Sequence, residues 1–273
     1  MLLENSQWKQ NIYNVYEVVS SEIVNPALIF DKYFLWESYK GYPTNTSNNR
    51  SSRENNYKKR HLEKIIQCKF PLKSDQYQYL NDRKNSLPRT ISFFLNTKTR
   101  VIVNHGSESI LENSIAIHPY YGFPIIPGSA IKGITRHYCE EYENMNEELI
   151  KKIFGNFPLD KNSQEGGIIF LDAWPRTMDK KNLGEFFELD VFTPHYQNYY
   201  QKNEFPRDDQ NPIPVYFLAM KKGVEFEFAI SPSSRYNNDI EKIDLQDVKR
   251  LITNALKTYG VGAKTGSSYG YFE

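Results

Sequence analysis

The residues of this chain best suited to bind a charged ligand lie in the segment GVGAKTGSSYGYF, which starts at Gly260. Its glycines, all within eleven residues, are Gly260, Gly262, Gly266 and Gly270. Glycines at this density let backbone N–H groups approach an anion closely, and Lys264, Thr265 and Ser267 add side-chain donors, which predicts a phosphate-binding loop. The segment is not a Walker A loop, because Ala263 precedes the lysine and the segment follows a helix instead of opening one. A purely structural turn is the alternative.

A second candidate phosphate site is the start of a predicted helix in IPGSAIKGITRH, where Gly128 is followed by Ser129 as the expected N-cap. The unpaired N–H groups and the positive dipole end of a helix N-terminus attract phosphate. Lys132 and Arg136 stand one turn apart on one side of this helix, and Gly133 between them lets a ligand approach closely. The alternative is a pair of basic side chains that simply face solvent.

Catalytic and metal-binding groups are not arranged as convincingly. The histidines able to act as general acids or bases are His105, His118, His137 and His195, and none has a partner at a suitable spacing. His137 and Cys139 lie two residues apart on a helix and point to different faces, which argues against a shared metal ion. Asp172 follows a strand, where it is expected to cap a turn or to pair with a nearby base. We therefore predict no catalytic residue, no metal and no cofactor.

The charge of the chain is distributed unevenly, although its net value is only +1. Residues 50–100 contain thirteen Lys or Arg and four Asp or Glu, a net of +9, whereas residues 1–49 sum to −2 and residues 101–273 to −6. A basic segment beside an acidic remainder suggests contact with nucleic acid or with an acidic protein. A solvated helix face is the alternative.

Length and composition fit a folded globular protein of one elaborated domain or two small ones, with 273 residues, 39% hydrophobic and 25% charged. No apolar run reaches the about 18 to 20 residues of a transmembrane helix, and the first ten residues lack the basic-then-apolar pattern of a secretory signal. We therefore expect a cytoplasmic protein. Its two cysteines, Cys68 and Cys139, are too few for a disulfide framework or a four-cysteine zinc site.

Hydrophobic periodicity predicts a mostly helical first part. We expect an amphipathic helix within residues 11–40 and a mobile loop near residues 41–56, which are rich in Asn, Ser and Thr. A second helix is expected over residues 57–69, with Leu62, Ile65 and Ile66 inward and its lysines outward.

Strands and helices alternate in the second part. The predicted strands are residues 99–106, 166–175, 213–220 and 224–231, with residues 221–223 as a hairpin turn between the last two. The predicted helices are residues 129–142 and 244–260, the second ending at Gly260 as a C′ glycine, and a short strand follows the glycine-rich loop. The order β, α, β, β, α, β is that of a ferredoxin-like sheet.

These segments, in this order, resemble a known family. IIPGSAIKGITR, followed more than a hundred residues later by GVGAKTGSSYGYF, resembles the RAMP superfamily of CRISPR proteins. Together with HPYYGFPIIPGSAIKG, GGIIFLDAWP and LDVFTPHYQNYY, the set is most similar to the sixth-subunit family of the Cmr complex, the type III-B RNA-guided effector. The match covers roughly residues 100–273. It implies an α+β chain with a ferredoxin-like (RRM-like) βαββαβ core at residues 99–273 and a mostly helical, basic region at residues 1–98.

The resemblance also implies partners and binding residues: a non-catalytic RNA-binding and assembly subunit that contacts the 3′ part of the guide RNA (crRNA) or the guide–target duplex, and neighbouring backbone and small subunits. The family's helix-start motif matches Gly128, Ser129, Lys132, Gly133 and Arg136. Its glycine loop matches Gly260, Gly262, Lys264, Thr265, Gly266 and Gly270.

A thumb insertion that wedges between bases is implied near residues 190–212. Its candidate stacking residues are His195, Tyr196, Tyr199 and Tyr200. Stacking on a base is worth about 1 to 3 kcal/mol. Packing of these side chains on a protein neighbour is the alternative.

Two other functions stay open. Some RAMP proteins cut RNA, either with a histidine as general acid or base or with an aspartate in the loop after the first strand. Here that loop, residues 105–127, contains Glu108 and Glu112 but no Asp, which departs from the cutting subunit. One alternative is therefore a metal-independent endoribonuclease that processes repeat RNA. The other is a purely protein–protein subunit whose basic segment meets an acidic neighbour.

Overall fold

The computed structural model of the protein describes residues 25–31, 50–70, 74–109, 111, 113–156, 163–176, 182–193, 205, 214–233 and 243–273. Most of the helix expected within residues 11–40, and residues 41–49 of the expected loop, lie outside these ranges. Within them, none of the helices combines the length and the apolar character of a membrane-spanning segment.

The chain contains both helices and strands, as expected for an α+β chain. In chain order they are α1 (Pro26–Asp31), α2 (Arg50–Ile66), α3 (Ser74–Asn85), β1 (Ile91–Asn96), α4 (Gly128–Glu141), α5 (Glu147–Phe154), β2 (Ile168–Phe170), β3 (Trp174–Pro175), a 3₁₀ turn (Leu183–Phe186), β4 (Phe187–Phe192), β5 (Val215–Met220), β6 (Glu225–Pro232), α6 (Leu245–Thr258) and a 3₁₀ turn (Thr265–Ser267).

Helix α2 starts earlier than the sequence predicted. The mobile loop expected over residues 41–56 is wrong from Arg50 onward, where the chain is helical. Helical hydrogen bonds are local, so a polar stretch can extend a helix whose later turn is packed, and Leu62 and Ile65 are fully buried. The lysines do not all point outward, because Lys58 is only 8% exposed.

The central sheet is antiparallel and is built around β6. Strand β1 pairs along one side of β6, with Ile91 opposite Ile230, and β2 and β3 pair along the other. Phe93 and Phe228 stack on one face with ring centroids 5.5 Å apart, and α6 covers that face, with Lys249 Nζ 5.7 Å from the Phe93 ring. Helix α3 packs on the other face, where Lys84 forms an ion pair with Glu227.

Helices α4 and α6 pack antiparallel to each other. Tyr138 of α4 lies 6.1 Å from Tyr259, just after α6, whereas Glu143, just after α4, pairs with Arg250 in the first half of α6 at 3.7 Å. The spacing of Ile131, Ile134, Tyr138 and Tyr142 predicts one apolar stripe on α4. The stripe is confirmed at Ile131 and Tyr138, which are 2% and 3% exposed, and is wrong at Tyr142, which is 63% exposed. The start of α4 and the end of α6 therefore lie at the same end of this helix pair.

Residues 99–106, predicted as the first core strand, do not form one. The first core strand is β1, which ends at Asn96. The segment is apolar because it is buried, but its backbone groups bond to separate parts of the chain: Val101 to Met220, Ile102 to Ala263 and Val103 to Ala116. A buried segment that has no single partner strand has the composition of a β-strand but forms no ladder of hydrogen bonds.

The hairpin predicted between the last two strands is also wrong. The turn exists, with Gly223 at φ +74, but β5 pairs with β4 in a separate two-stranded sheet while β6 belongs to the central sheet. The buried Thr97 forms the hydrogen bonds that the backbone groups next to this turn would form in a hairpin. It accepts from the Gly223 N–H, donates to the Val224 carbonyl, and bonds through its hydroxyl to both Lys221 and Val224.

The strand predicted after the glycine-rich loop reduces to a bridge between Phe272 and Thr97, beside which Asn96 and Glu273 exchange two hydrogen bonds of 2.9 Å. This places the C-terminus on the free edge of β1. The resulting antiparallel order, C-terminal segment, β1, β6, β2, is consistent with the expected βαββαβ core.

A buried histidine in α2 makes stability depend on pH. The His61 Nε2–H donates to the Ile29 carbonyl at 2.9 Å, and burial lowers the pKa of His61 to about 4, outweighing the hydrogen bond. An unfolded histidine has a pKa near 6.5, so the unfolded chain takes up the proton first as the pH falls.

We therefore expect the free energy of unfolding to fall by on the order of 2 to 3 kcal/mol as the pH drops from 6.5 to 4. Above pH 7, His61 should not change it. His61→Gln keeps an N–H donor without a titrating group and should flatten this part of the profile in urea unfolding at pH 7.5, 6 and 4.5. Parallel profiles for the two proteins would contradict the assignment.

Candidate nucleic-acid interface

Helix α4 begins where the sequence predicted a binding site, but its first N–H group already has a partner. Pro127 is the N-cap residue, so the N-cap predicted at Ser129 is wrong. The Gly128 N–H donates to Asp172 Oδ1 at 2.7 Å, and a Cβ on Gly128 would lie 2.1 Å from the Phe170 carbonyl oxygen. A carboxylate distant in sequence thus caps the helix and fixes its start to the link between β2 and β3.

Asp172→Ala should therefore cost about 1 kcal/mol of folding free energy, because it leaves the Gly128 N–H without its acceptor. Asp172→Asn keeps an acceptor oxygen and should cost less. Urea unfolding of the two variants checks this, and equal losses would mean that the carboxylate acts through its charge rather than as a cap.

The two basic residues of α4 differ in their partners. Arg136 Nε is 2.7 Å from Glu140 Oε1, and its NH1 is 3.5 Å from the Gly155 carbonyl oxygen. Lys132 forms no ion pair with any residue that the structure describes. Burial lowers the pKa of Lys132, and the adjacent Arg136 charge lowers it further, against the attraction of Glu165. Lys132 is therefore the better placed of the two for an external phosphate.

The glycine loop, residues 260–270, is partly a structural turn. Gly260, at φ +70, ends α6 as the predicted C′ glycine. Gly262 has φ +93, and a Cβ there would lie 2.1 Å from the Ile102 carbonyl oxygen. Gly270 has φ +85 and would meet the Val261 carbonyl oxygen at 2.2 Å. These three glycines are required for the loop to fold back on its own chain.

The tip of the glycine loop is different, because it leaves donors unused. Lys264 has φ +60 and precedes a 3₁₀ turn, in which its carbonyl accepts from the Ser267 N–H at 2.8 Å. Among the residues described, the N–H groups of Lys264, Thr265 and Gly266 donate to no acceptor. Consecutive free N–H groups in such a turn form a concave site for an anion.

The described fold does not require glycine at two of the predicted site positions, Gly133 and Gly266. Both are exposed, and a Cβ built on either meets no heavy atom within 4 Å. In the middle of a helix, glycine costs about 1 kcal/mol relative to alanine, so Gly133 destabilises α4 without a compensating contact inside the protein. Neither glycine is therefore explained by a contact within the described part of the chain.

Lys264 lies against an aromatic group at the end of β4. Its Nζ is 4.3 Å from the centroid of the Phe192 ring, and it has no ion-pair partner in the described ranges. The His105 ring is next to it, with its centroid 6.0 Å from that of Phe192 and 5.3 Å from that of Phe217. Burial and the Lys264 charge lower the pKa of His105, so its imidazole is neutral at neutral pH.

The predicted thumb leaves the β4–β5 sheet beside this lysine. Strand β4 ends at Phe192, opposite Val215 of β5, so residues 190–192, which we assigned to the insertion, are strand. The base of the insertion therefore adjoins the tip of the glycine loop. The predicted stacking residues, His195, Tyr196, Tyr199 and Tyr200, lie outside the described residues and stay a prediction.

An ion-pair cluster that the sequence analysis missed joins the same elements. Arg100 pairs with Glu188 through Nε and with Asp190 at 2.6 Å through NH1. The Tyr269 hydroxyl also donates to Asp190. Glu188 and Asp190 occupy alternate positions of one strand and therefore lie on one face of the sheet, which the sequence could have indicated. Nothing in the sequence indicated that Arg100 would pair with them.

One ring contact relates the two predicted binding motifs. Helices α4 and α6 are antiparallel, and the His137 ring lies 5.0 Å from that of Tyr259, directly before Gly260. The third turn of α4 therefore adjoins the start of the glycine loop, and Gly133 is one turn closer to the start of α4 than His137.

His118 and His105 differ in how far contacts within the described chain account for them. His118 Nδ1 accepts from the N–H groups of Tyr120 and Tyr121 at 3.3 Å each, and its ring stacks on Tyr121 at 4.5 Å. In the described ranges, no group of three or more His, Cys, Asp or Glu side chains is placed to hold a metal ion. His105 has a buried Nδ1 with no partner among the described residues, which makes it the histidine least explained by structure.

Comparisons with known proteins agree with the predicted resemblance. The family model "RAMP superfamily" matches residues 94–273. The chain is 31% identical over 266 residues to the CRISPR system Cmr subunit Cmr6 of Pyrococcus furiosus, covering 76% of this chain and 74% of that relative. It is 30% identical over 226 residues to the CRISPR system CMR subunit Cmr6 of Saccharolobus solfataricus, covering 79% and 70%. A chain in the cryo-EM structure of the type III-B Cmr-beta bound to cognate target RNA has the same fold, with a TM-score of 0.62 at 24% identity over 96% of this chain and 90% of that one. The protein therefore belongs to the RAMP superfamily and, within it, to the Cmr6 family.

Proposed function

We propose that this protein is a non-catalytic RNA-binding and assembly subunit of a type III-B CRISPR (Cmr) effector complex. It contacts the 3′ part of the guide RNA or the guide–target duplex, and it docks on neighbouring Cmr subunits. The observation that carries the proposal is that the two motifs hold lysines without ion-pair partners in the described chain, Lys132 and Lys264, and that the glycine-loop tip adds N–H groups that donate to no described acceptor. The names of the Cmr6 relatives support the assignment to the complex.

RNA meets the loops at the end of the ferredoxin-like core rather than its sheet. An RNA-recognition motif stacks bases on the open face of its sheet. Here α3 packs on part of that face, and Glu225 and Glu227 project from β6 on the same side, opposite to the buried Phe226 and Phe228. Carboxylates repel phosphate, so this face is poorly suited to RNA.

The basic segment contributes less to RNA binding than its charge of +9 suggests. Lys84 and Arg100, both in this segment, form ion pairs with carboxylates of the acidic remainder, at Glu227 and at Glu188 and Asp190. Part of the charge asymmetry is thus neutralised inside the fold. The RNA contact rests on a few local donors instead.

Photo-crosslinking of the assembled complex tests the proposal directly. Guide RNA carrying 4-thiouridine at each position in turn is bound, irradiated and digested, and the adducts are mapped by mass spectrometry. We expect adducts on the glycine loop and on the first turns of α4. A purely protein–protein subunit predicts adducts on neither, with protein crosslinks from residues 50–100 to an acidic neighbour.

The endoribonuclease alternative rests on one observation, the buried His105 Nδ1, which lies near Lys264 and has no hydrogen-bond partner among the described residues. A neutral imidazole could remove the proton of a ribose 2′-OH. Purified protein incubated with repeat RNA in a chelator would then give discrete products, and His105→Ala would abolish them while His118→Ala and His137→Ala would not. We expect no products at any enzyme concentration.

A further inference from the structure

We infer that Arg100, Asp190 and Tyr269 are positioning residues that hold the end of strand β4, at Phe192, against the glycine loop. RNA bound at Lys264 then meets Phe192 and the loop tip as one unit. The inference rests on the proposed function, because its consequence is the register of the RNA on the protein.

Asp190 is the centre of this cluster. One of its carboxylate oxygens, Oδ2, accepts both from Arg100 NH1 at 2.6 Å and from the Tyr269 hydroxyl, and its side chain is only 13% exposed. Glu188 holds the other side of the same guanidinium. The Arg100 side chain is 47% exposed, so only the Asp190 side of the cluster is shielded from water. Charge-assisted bonds are stronger and more directional than neutral ones, so the cluster fixes orientation as well as distance.

The cluster ties together three segments that are distant in sequence. The Arg100 carbonyl accepts from the Gly270 N–H at 2.7 Å, so the main chain of this residue holds the end of the glycine loop while its side chain holds β4. Tyr269, within the loop, reaches across to Asp190. Phe192, two residues further along β4 and on the same face, lies under Lys264.

The fold itself does not require this cluster. Strand β4 is already paired with β5 through six residue pairs, and the glycine loop is already bonded to Ile102 and to the Arg100 main chain. What the side chains add is the placement of one relative to the other. The cluster is also not a phosphate site, because Glu188 and Asp190 outweigh the single charge of Arg100.

Tyr269→Phe is the sharpest test, because it removes one hydroxyl and keeps the ring, whose centroid is 6.4 Å from that of Phe217. Asp190→Asn removes the charge from the same centre. Arg176→Lys is the matched control, since Arg176 pairs with Glu225 on the other sheet at 3.1 Å. Each variant is incorporated into the assembled complex with the 4-thiouridine guides, and its melting temperature is measured separately.

We expect Tyr269→Phe and Asp190→Asn to weaken guide binding about two- to tenfold and to move the adducts of the glycine loop to other nucleotides. Arg176→Lys should change neither. Unchanged adduct positions in Tyr269→Phe would overturn the inference, even with a lower melting temperature. Absence of loop adducts in the wild type would instead overturn the proposed function, which separates the two failures.

Discussion

Replacing Lys132 and Lys264 together by alanine is expected to reduce guide-RNA retention by the assembled complex at least about tenfold at 0.1 M salt, because each hydrogen bond to a charged group contributes about 1.5 to 3 kcal/mol. Neither lysine has an ion-pair partner among the described residues, and Glu165 attracts Lys132 without forming an ion pair with it. The slope of log affinity against log salt should become shallower by about 0.7 to 0.9 for each phosphate that the protein no longer neutralises. Filter binding or size-exclusion retention at four salt concentrations measures both quantities.

The matched control is Lys221→Ala with Lys222→Ala, which removes the same charge. Both residues follow β5 at the end next to Phe187, and the glycine loop adjoins the opposite end, at Phe192 and Val215. The control should keep the wild-type slope. Equal slopes in the wild type and in the Lys132/Lys264 variant would show that these two residues do not meet phosphate. Arg136→Ala should have a smaller effect than Lys132→Ala, because Glu140 already holds that guanidinium.

Gly262→Ala is expected to destabilise the protein by roughly 2 to 4 kcal/mol. A left-handed backbone costs a non-glycine residue about 1 to 2 kcal/mol, and the new Cβ would lie 2.1 Å from the Ile102 carbonyl oxygen, so the backbone must move as well. The segment at Ile102 is bonded to the glycine loop through Ala263 and cannot yield without breaking that bond. A large drop in melting temperature should result.

Gly266→Ala, four residues away in the same loop, is the control for this prediction. Its Cβ would enter open space, so folding stability should stay within about 0.5 kcal/mol of the wild type. If an RNA backbone approaches Gly266 closely, the same variant should weaken guide binding while leaving stability intact. Gly262→Ala with a wild-type melting temperature would show that the loop is not held in the conformation described.

Gly133→Ala separates stability from binding in helix α4. Alanine should stabilise the isolated protein by about 0.5 to 1 kcal/mol, because its methyl group meets nothing and the unfolded chain loses freedom. We expect guide binding by the complex to fall nonetheless. Thermal melting of the subunit and filter binding of the complex measure the two effects, and a variant that gains stability with unchanged binding would remove Gly133 from the interface.

Local patterns predicted the helices of the core well. The apolar stripe of α4, the amphipathic α6 and the glycine that ends it all follow from residue spacing, because a helix closes its hydrogen bonds within its own segment. Motif order was equally informative, since PGSAIKG followed by the glycine loop indicated the RAMP superfamily without any knowledge of the tertiary fold.

Non-local interactions explain what the sequence analysis got wrong. The apolar run at Val101, Ile102 and Val103 predicts a strand, but its backbone partners come from three different parts of the chain. The turn at Gly223 predicts a hairpin, but the buried Thr97 takes its hydrogen bonds. Ser129 is a good N-cap by residue type, but Asp172 supplies the acceptor from the link between β2 and β3. Each competitor is distant in sequence, so no local pattern reveals it.

The sequence by itself determined the family, the helix-start and glycine-loop motifs, and the basic segment, because these depend on residue identity, order and local spacing. Only the tertiary structure decided which donors in those motifs have internal partners: Arg136 and Arg100 do, whereas Lys132 and Lys264 make no ion pair in the described chain. The physical reason is that a charge is neutralised by whatever carboxylate the fold brings within a few ångströms, and Glu188 and Asp190 reach Arg100 across almost ninety residues.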